Sequence, residues 1–431
     1  MFETLISIFY LARPIMFVDV PFGIGGLNFF ELVTMVFSLV LVMITARTIL
    51  SNNKKGITNL ELSMLAFIMW CTFVMLVFYQ HSNFKSYVQW ILPLFTYMVL
   101  KRSVSSREQY IKLIKLLLLG FVIPLLWNFV TILQGKGLGM EIYWTGLKRY
   151  SGVYSNIHTM GHNMGLLVMV VSIYYVLTTD VLGKALKTSY KILLLLMVLI
   201  ALYCLYKSQT RTVYVGLAVF MVVWLFYYNK KMLVGLILFS VIGLIGVSSK
   251  VETIFFDVKE ALEGQRDIER AGSGRPFIWM HNLEIFMDVG VEKKLAGVGI
   301  GNTKSAAGVD RGTVDEGVGV VWNSHNDYLG VLMETGVVGF VIQLVIYLLI
   351  FQKIRKLSPK EKSVFLGLFC AIVAMNLLSN SYISRFGLAQ MFFMILVYIE
   401  LPRLKTTTEE TKEAVVKNDD KRRGFQSVRL R

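Results

Sequence analysis

Long apolar runs separated by short polar joints dominate this chain. A helix needs about 20 apolar residues to cross a hydrocarbon core of roughly 30 Å, and runs approaching or exceeding that length recur from end to end. The pattern predicts twelve spans: Leu5 to Asp19, Phe29 to Ile49, Leu60 to Tyr79, Tyr87 to Leu100, Tyr110 to Leu133, Met160 to Leu177, Tyr190 to Tyr206, Thr212 to Tyr228, Met232 to Val247, Tyr328 to Phe351, Val364 to Ser381 and Phe386 to Leu401. The first is the weakest, being short and holding Arg13 and Pro14. It lacks a basic leader and a small-residue cleavage site, so it is expected to stay attached.

Two stretches break the rhythm. Ser248 to Asp327 is long and mixed, and a loop of that length is expected to carry structure of its own. In KVETIFFDVKEALEG, Val251, Ile254, Phe255, Val258 and Leu262 recur at helical spacing, which predicts a helix at the membrane surface. A second helix is predicted to start at Pro276, since proline suits a first turn, and to stop before Gly290. Further on, LAGVGIGNT is a GxGxG run without the strand, helix and distant acid of a dinucleotide site, and reads as a tight turn. The other exception is the tail KTTTEETKEAVVKNDDKRRGFQSVRLR, too polar to form a core.

Composition agrees with a membrane protein: 55% hydrophobic and 17% charged residues, with a mean hydropathy of +0.61. A net charge of +16 in a soluble chain would point to nucleic acid. Here the excess lies in short joints, around Lys54 and Lys55, Lys101 and Arg102, Lys184 and Lys187, Lys230 and Lys231, and Lys353 and Arg355, and in the tail. Twelve spans put all of these on one side, which positive charge in short loops marks as cytoplasmic. Nucleic acid is therefore not expected, and the tail's basic cluster suits anionic membrane lipids. The expected fold is an all-α integral membrane protein of about 12 transmembrane helices, with a large, partly helical extracytoplasmic loop between spans 9 and 10. Its parts are spans 1–9 (residues 1–247), the loop (248–327), spans 10–12 (328–403) and a cytoplasmic tail (404–431).

Cys71, Cys204 and Cys370 sit apart in apolar runs and read as packing residues. His158 and His162, four apart, would share a helix face, but no third ligand accompanies them, so no metal is expected. More telling is NSHNDYLGVLMETG at the mouth of the tenth span. Ser324 with Asp327 forms a capping-box pattern that predicts His325 in the first helical turn. There the helix dipole disfavours the imidazolium, and a neutral imidazole near water suits a general base. Glu334, nine residues on, is expected about 13 Å deeper along a straight helix, with a partner or a polar cavity. Gly330, Gly336 and Gly339 suggest close helix approach. Arg211 opens the eighth span from outside, and Arg275 stands at the predicted start of the loop helix. Each fits either phosphate binding or an ordinary role, a snorkelling side chain for Arg211 and a solvated loop cation for Arg275.

The series QTRTVYVG, SGRPFIW, LAGVGIGN and SHNDYLGVLMETGVVG, in that order, with a large loop before the last, resembles the bacterial O-antigen ligase and polymerase superfamily. The resemblance is concentrated in Ser208 to Gly339 and implies a glycosyltransferase on the outer side of the cytoplasmic membrane, without metal or other cofactor. Its donor would be an undecaprenyl-diphosphate-linked glycan and its acceptor a sugar hydroxyl of a second glycan. Arg211, Arg275 and His325 fall on the positions that the family's motifs assign to the site: His325 as base, the arginines on the leaving diphosphate. Arg149 and Arg385 are expected to help recognise the carrier. Trp322 and Tyr328 are expected at the substrate, while Tyr143, Trp144, Tyr150 and Tyr154 are candidates for stacking on sugar rings. Glu334, Gly336 and Gly339 are assigned to orientation or structure. Polymerase is preferred over ligase, with a flippase or chain-length regulator as possible partners. A transporter is the alternative of another class, and it would show a midplane site with interrupted helices and related halves.

Overall fold

The computed structural model describes residues 2–17, 56–78, 84–142, 147–246, 271–301, 324–380 and 385–402, with a few positions between 23 and 43. It is almost wholly helical. In chain order the elements are α1 (Phe2–Ala12), a minimal ladder of β1 (Gly23–Ile24) and β2 (Leu27–Asn28), α2 (Asn59–Val77), α3 (Phe84–Ser103) and α4 (Arg107–Leu133). An antiparallel hairpin of β3 (Leu138–Ile142) and β4 (Leu147–Tyr150) follows, then α5 (Ile157–Val176), α6 (Thr188–Ser208), α7 (Arg211–Tyr228) and α8 (Lys230–Gly246). The last five helices are α9 (Ala271–Asp288), α10 (Val291–Ala296), α11 (Asp327–Arg355), α12 (Pro359–Leu378) and α13 (Phe386–Leu396).

Among the described residues seven helices are long and apolar enough to span a membrane: α2, α4, α5 with its continuation to Val181, α6, α7, α11 and α12. The other predicted spans differ in instructive ways. The first is an 11-residue helix, and the fourth lies in α3, whose ends carry Lys85, Lys101 and Arg102. The ninth forms the 17-residue α8, and the twelfth forms the 11-residue α13, which tightens into a 3-10 turn over Val397–Glu400. The second lies almost wholly outside the described residues, as do His81, Tyr143, Trp144, the surface helix expected over 251–262, Trp322 and the basic tail.

Of the seven long apolar helices, α5 and α12 are the most enclosed, and α12 runs along α7 in the most extensive pairing among the described elements. Close approach there depends on small residues. A Cβ on Gly216 of α7 would lie 2.5 Å from Met375 Sδ, and one on Gly367 of α12 would lie 3.1 Å from the Phe220 carbonyl oxygen. Cys71 and Cys204 are buried in the core and Cys370 is half-buried, as packing residues should be.

Buried charges are paired at one end of the bundle. Glu61 closes a capping box with Thr58 at the start of α2 and bonds both Lys101 and Arg102 at the end of α3. Arg107, opening α4, bonds Glu361, which Ser358 and Tyr398 also reach. Lys353, near the end of α11, meets Glu400 at 2.9 Å. Each carboxylate thus ties the ends of two or three helices together, which is how buried charge is tolerated.

Helix α11 is not continuous. Gly336 has φ 67° and ψ −174°, a break between Asp327–Thr335 and the remainder of the helix. The break lies beyond Glu334, so the segment from Asp327 that carries this residue is regular helix. Carbonyls freed by such a break need other donors, and they have them: Trp70 Nε1 donates to Thr335 O at 2.8 Å, and Val298 N–H to Met333 O at 2.9 Å. The expected glycine turn is what fills the break. Gly297, Gly299 and Gly301 all have positive φ, and the Gly301 N–H donates to Glu334 Oε2 at 2.8 Å. No Cβ fits at the contact: on Gly297 it would lie 2.4 Å from the Glu334 carbonyl oxygen, and on Gly336 2.2 Å from that of Leu295. Gly339 has the packing role expected of it, against Trp70 of α2.

Candidate functional site

At the end opposite the paired charges, the N-termini of α5 and α7 are pressed together. Thr210, the residue before α7, donates its hydroxyl to the Ile157 carbonyl at 3.2 Å. Gly161 permits the contact, since a Cβ there would lie 2.4 Å from Thr210 Oγ1. Arg211 is the first residue of α7, as the pattern predicts. The turn before it is held by Arg149 of β4, whose Nε and Nη2 donate to the carbonyls of Ser208 and Gln209, each at 3.1 Å. Gln209 is left-handed, with φ 51°, and ends α6. Arg149 thus satisfies two helix-end carbonyls with a favourably placed cation.

Arg275 lies inside α9, not at its start. The helix begins at Ala271, so Pro276 sits within it rather than in the first turn. The local proline preference was a weaker signal than the upstream residues, which continue the helix in spite of one lost backbone bond. Its Nη1 donates to the Leu378 carbonyl at 2.6 Å, at the last residue of α12. Arg385 stands just before α13: its Nε donates to Asn380 O at 2.8 Å, and its Nη1 to Thr159 Oγ1 at 2.7 Å and Asn156 Oδ1 at 3.3 Å. Asn156 is the N-cap of α5.

His325 also departs from its expected place. The N-cap of α11 is Asn326, whose Oδ1 accepts from the backbone of Tyr328 at 3.0 Å and Leu329 at 3.1 Å. Asparagine caps as well as serine does, and this one is two residues further along, so His325 precedes the helix. Its φ is 46°, a left-handed conformation that costs a non-glycine residue on the order of 1–3 kcal/mol. Ser324 helps to hold the turn, donating to Asn326 O at 2.9 Å and approaching Asn380 Oδ1 at 3.4 Å. The Leu378–Arg385 connection therefore receives Arg275, Ser324 and Arg385 together.

The cations act on one another. Burial first, then the charges of Arg275 and Arg385, lower the His325 imidazole below its ordinary value of 6.5. Burial and the neighbouring Arg211 likewise push the Arg149 guanidinium down to about 10. Arg275 is lowered by burial and by Arg211. Arg385 is lowered by burial, with Asp327 opposing. Arg275 and Arg385 thus act on the imidazole, and Arg149 and Arg211 act on Arg275 in turn, a chain of cations of the kind that suits a multiply charged anion.

Other candidates have packing roles. Tyr328 donates its hydroxyl to Val373 O at 3.2 Å and packs edge-on against Tyr347. Tyr154 is in the core, so it offers no ring for stacking. His162 Nδ1 meets the His158 carbonyl oxygen at 2.7 Å, an engagement within its own helix. The sequence pattern did not reveal three participants. Trp70, Asn380 and Thr159 sit in ordinary-looking stretches, and only the tertiary fold brings them to this end of the bundle.

The fold has seven helices long and apolar enough to cross a membrane, as in a multi-pass membrane protein, and one end of the bundle gathers arginines. Residues 196–344, which include Arg211, Arg275 and His325, match the family model described as O-antigen ligase. The match covers about a third of the chain and agrees with the resemblance to the O-antigen ligase and polymerase superfamily carried by the motifs there. No curated protein matches it.

Proposed function

We propose that the protein is an inverting glycosyltransferase that takes its glycan from an undecaprenyl diphosphate and polymerises repeat units of an O-antigen, capsule or exopolysaccharide. The observation that carries this reading is that Arg275 and Arg385 act on His325 while Arg149 and Arg211 neighbour Arg275, in a chain whose segment 196–344 matches the family model described as O-antigen ligase. His325, kept neutral by its cationic surroundings, accepts the proton of an acceptor sugar hydroxyl. The hydroxyl oxygen bonds the anomeric carbon as the bond to the lipid diphosphate breaks on the opposite face, and the diphosphate leaves with the electron pair. Arg211 and Arg275 stabilise its growing charge, a task for which paired guanidinium donors are suited. Arg149 and Arg385, tied to backbone carbonyls and to α5, hold the helix ends in place and add to the potential. Positive charge in the short joints supports a topology with both termini in the cytoplasm and the site on the outer side of the cytoplasmic membrane.

A ligase would use the same groups with a lipid or cell-wall acceptor. A transporter predicts an interrupted helix, and α11 has one; its freed carbonyls, however, are taken by Trp70 and Val298 of this chain, which favours a structural break. The test is transfer by the purified protein from a lipid-diphosphate-linked repeat unit, resolved by glycan length, alongside an equally folded His325→Ala variant. A ladder that the variant fails to make supports a polymerase, with a rate loss of about 10²–10⁴. Transfer to an added lipid or wall acceptor without a ladder identifies a ligase. Absence of both, with folded protein and competent donor, rejects the transferase.

A further inference from the structure

Helix α9 presents two opposed faces. Arg275, Ile278, Asn282, Ile285 and Phe286 recur at three- and four-residue spacing, and of these Ile278 is 5% and Asn282 2% exposed. Ile285 packs on Leu329 and Met333 of α11. On the far side Phe277, Met280, Leu283 and Met287 form a second stripe at the same spacing, which Val291 and Leu295 of α10 extend. Phe277 is 51% and Met287 66% exposed, so this stripe has no partner among the described residues. Glu284 falls within this stripe, four residues after Met280 and three before Met287, while His281, 3.7 Å from it, and the exposed Asp288 lie along one edge.

What covers the stripe is indicated by where it ends. A Cβ on Gly336 would touch the carbonyl of Leu295, so the last residue of the stripe adjoins the break in α11. Immediately beyond the break, Val337, Val341, Leu344, Val345 and Leu348 form the exposed apolar flank of a helix long and apolar enough to span a membrane, a surface suited to lipid. The two apolar surfaces are continuous. Lys293 and Lys294 stand at their junction, where flexible stems reach headgroup phosphates.

We infer that α9 and α10 form an arm laid on the bilayer, with Phe277, Met280, Leu283, Met287, Val291 and Leu295 immersed in the leaflet at the arginine end. The arm carries Arg275 on its opposite face and so fixes that guanidinium relative to the membrane surface. This holds whichever reaction the site performs.

Nitroxide labels test it in the full-length protein, reconstituted in bilayer discs of mixed zwitterionic and anionic phospholipid. Cys370 is replaced by serine, and single labels are placed by Met280→Cys, Met287→Cys and Asp288→Cys. Collisions are measured with oxygen, which concentrates in lipid, and with a water-soluble nickel chelate. Labels at 280 and 287 should meet oxygen several-fold more than the chelate, and the label at 288, on the exposed edge, should show the reverse. Chelate access at 280 and 287 equal to that at 288 overturns the inference, because the stripe then faces water. So does exclusion of both relaxing agents, which means protein covers it. So too does spin–spin broadening that unlabelled protein dilutes away, which makes the cover a second copy.

Discussion

His325 has the features of a base whose protonation is prevented by its surroundings. Its conjugate acid would add charge among Arg275 and Arg385, so its titration lies below the ordinary histidine value. The sign follows directly. The neutral, competent form persists as pH falls past 6.5, and kcat/KM should drop only as pH passes through the lowered value. Arg275→Gln removes one of the cations, so the acid limb of its pH profile should move to higher pH as overall activity falls. An unmoved limb would mean that His325 does not set it. Sequence reading reached Arg211, Arg275 and His325 through motif order, and helical spacing correctly placed Arg211 at the first residue of α7. It misplaced the other two because local signals compete: Asn326 outcompeted Ser324 as cap, and the helix around Arg275 starts before its proline. Nor could it show Trp70 or Asn380, whose relevance exists only across long sequence separations.

At the scale of elements, the break in α11 and the glycine turn form one unit. Sequence periodicity reads α11 as a single span, since a lone glycine does not interrupt an apolar pattern. What marks the break is the backbone of Gly336 and its contact with Leu295, neither of which hydropathy encodes. Gly336→Ala must adopt φ 67° with a Cβ 2.2 Å from a carbonyl oxygen. It should lower the melting temperature of the detergent-solubilised protein by several degrees, corresponding to a cost of about 1–3 kcal/mol. Gly330→Ala is the control, because a Cβ there meets only Ser324 Oγ at 3.3 Å. Equal melting of the two variants would remove the structural role assigned to Gly336. Glu334 tests the same unit chemically. Its side chain accepts the Gly301 N–H, so Glu334→Gln, which keeps an acceptor oxygen, should retain most activity while Glu334→Ala loses more. Loss of activity in Glu334→Gln with intact folding would instead assign the carboxylate to the chemistry.

Across the whole molecule the charges are sorted. One end holds buried pairs in which Glu61, Glu361 and Glu400 each neutralise cations. The other gathers Arg149, Arg211, Arg275 and Arg385, with Asp327 as the acid acting on Arg385. The first kind of end stabilises the bundle by itself, whereas at the second the cations named outnumber the acid named, which under the proposed function a bound diphosphate would offset. Lys101, Arg102, Lys353 and Arg355 cluster at the paired end, a bias that supports the proposed cytoplasmic orientation of that end. Single cysteines in a Cys370→Ser background check the assignment, since Cys71 and Cys204 are buried. Ser155→Cys, exposed beside the N-cap of α5, should react with a membrane-impermeant maleimide on intact cells. Ser105→Cys and Lys184→Cys, exposed at the opposite end, should react only after lysis. The reverse pattern would turn the arginine site toward the cytoplasm, where a donor glycan already moved to the outer leaflet could not reach it, and would overturn the proposed direction of transfer.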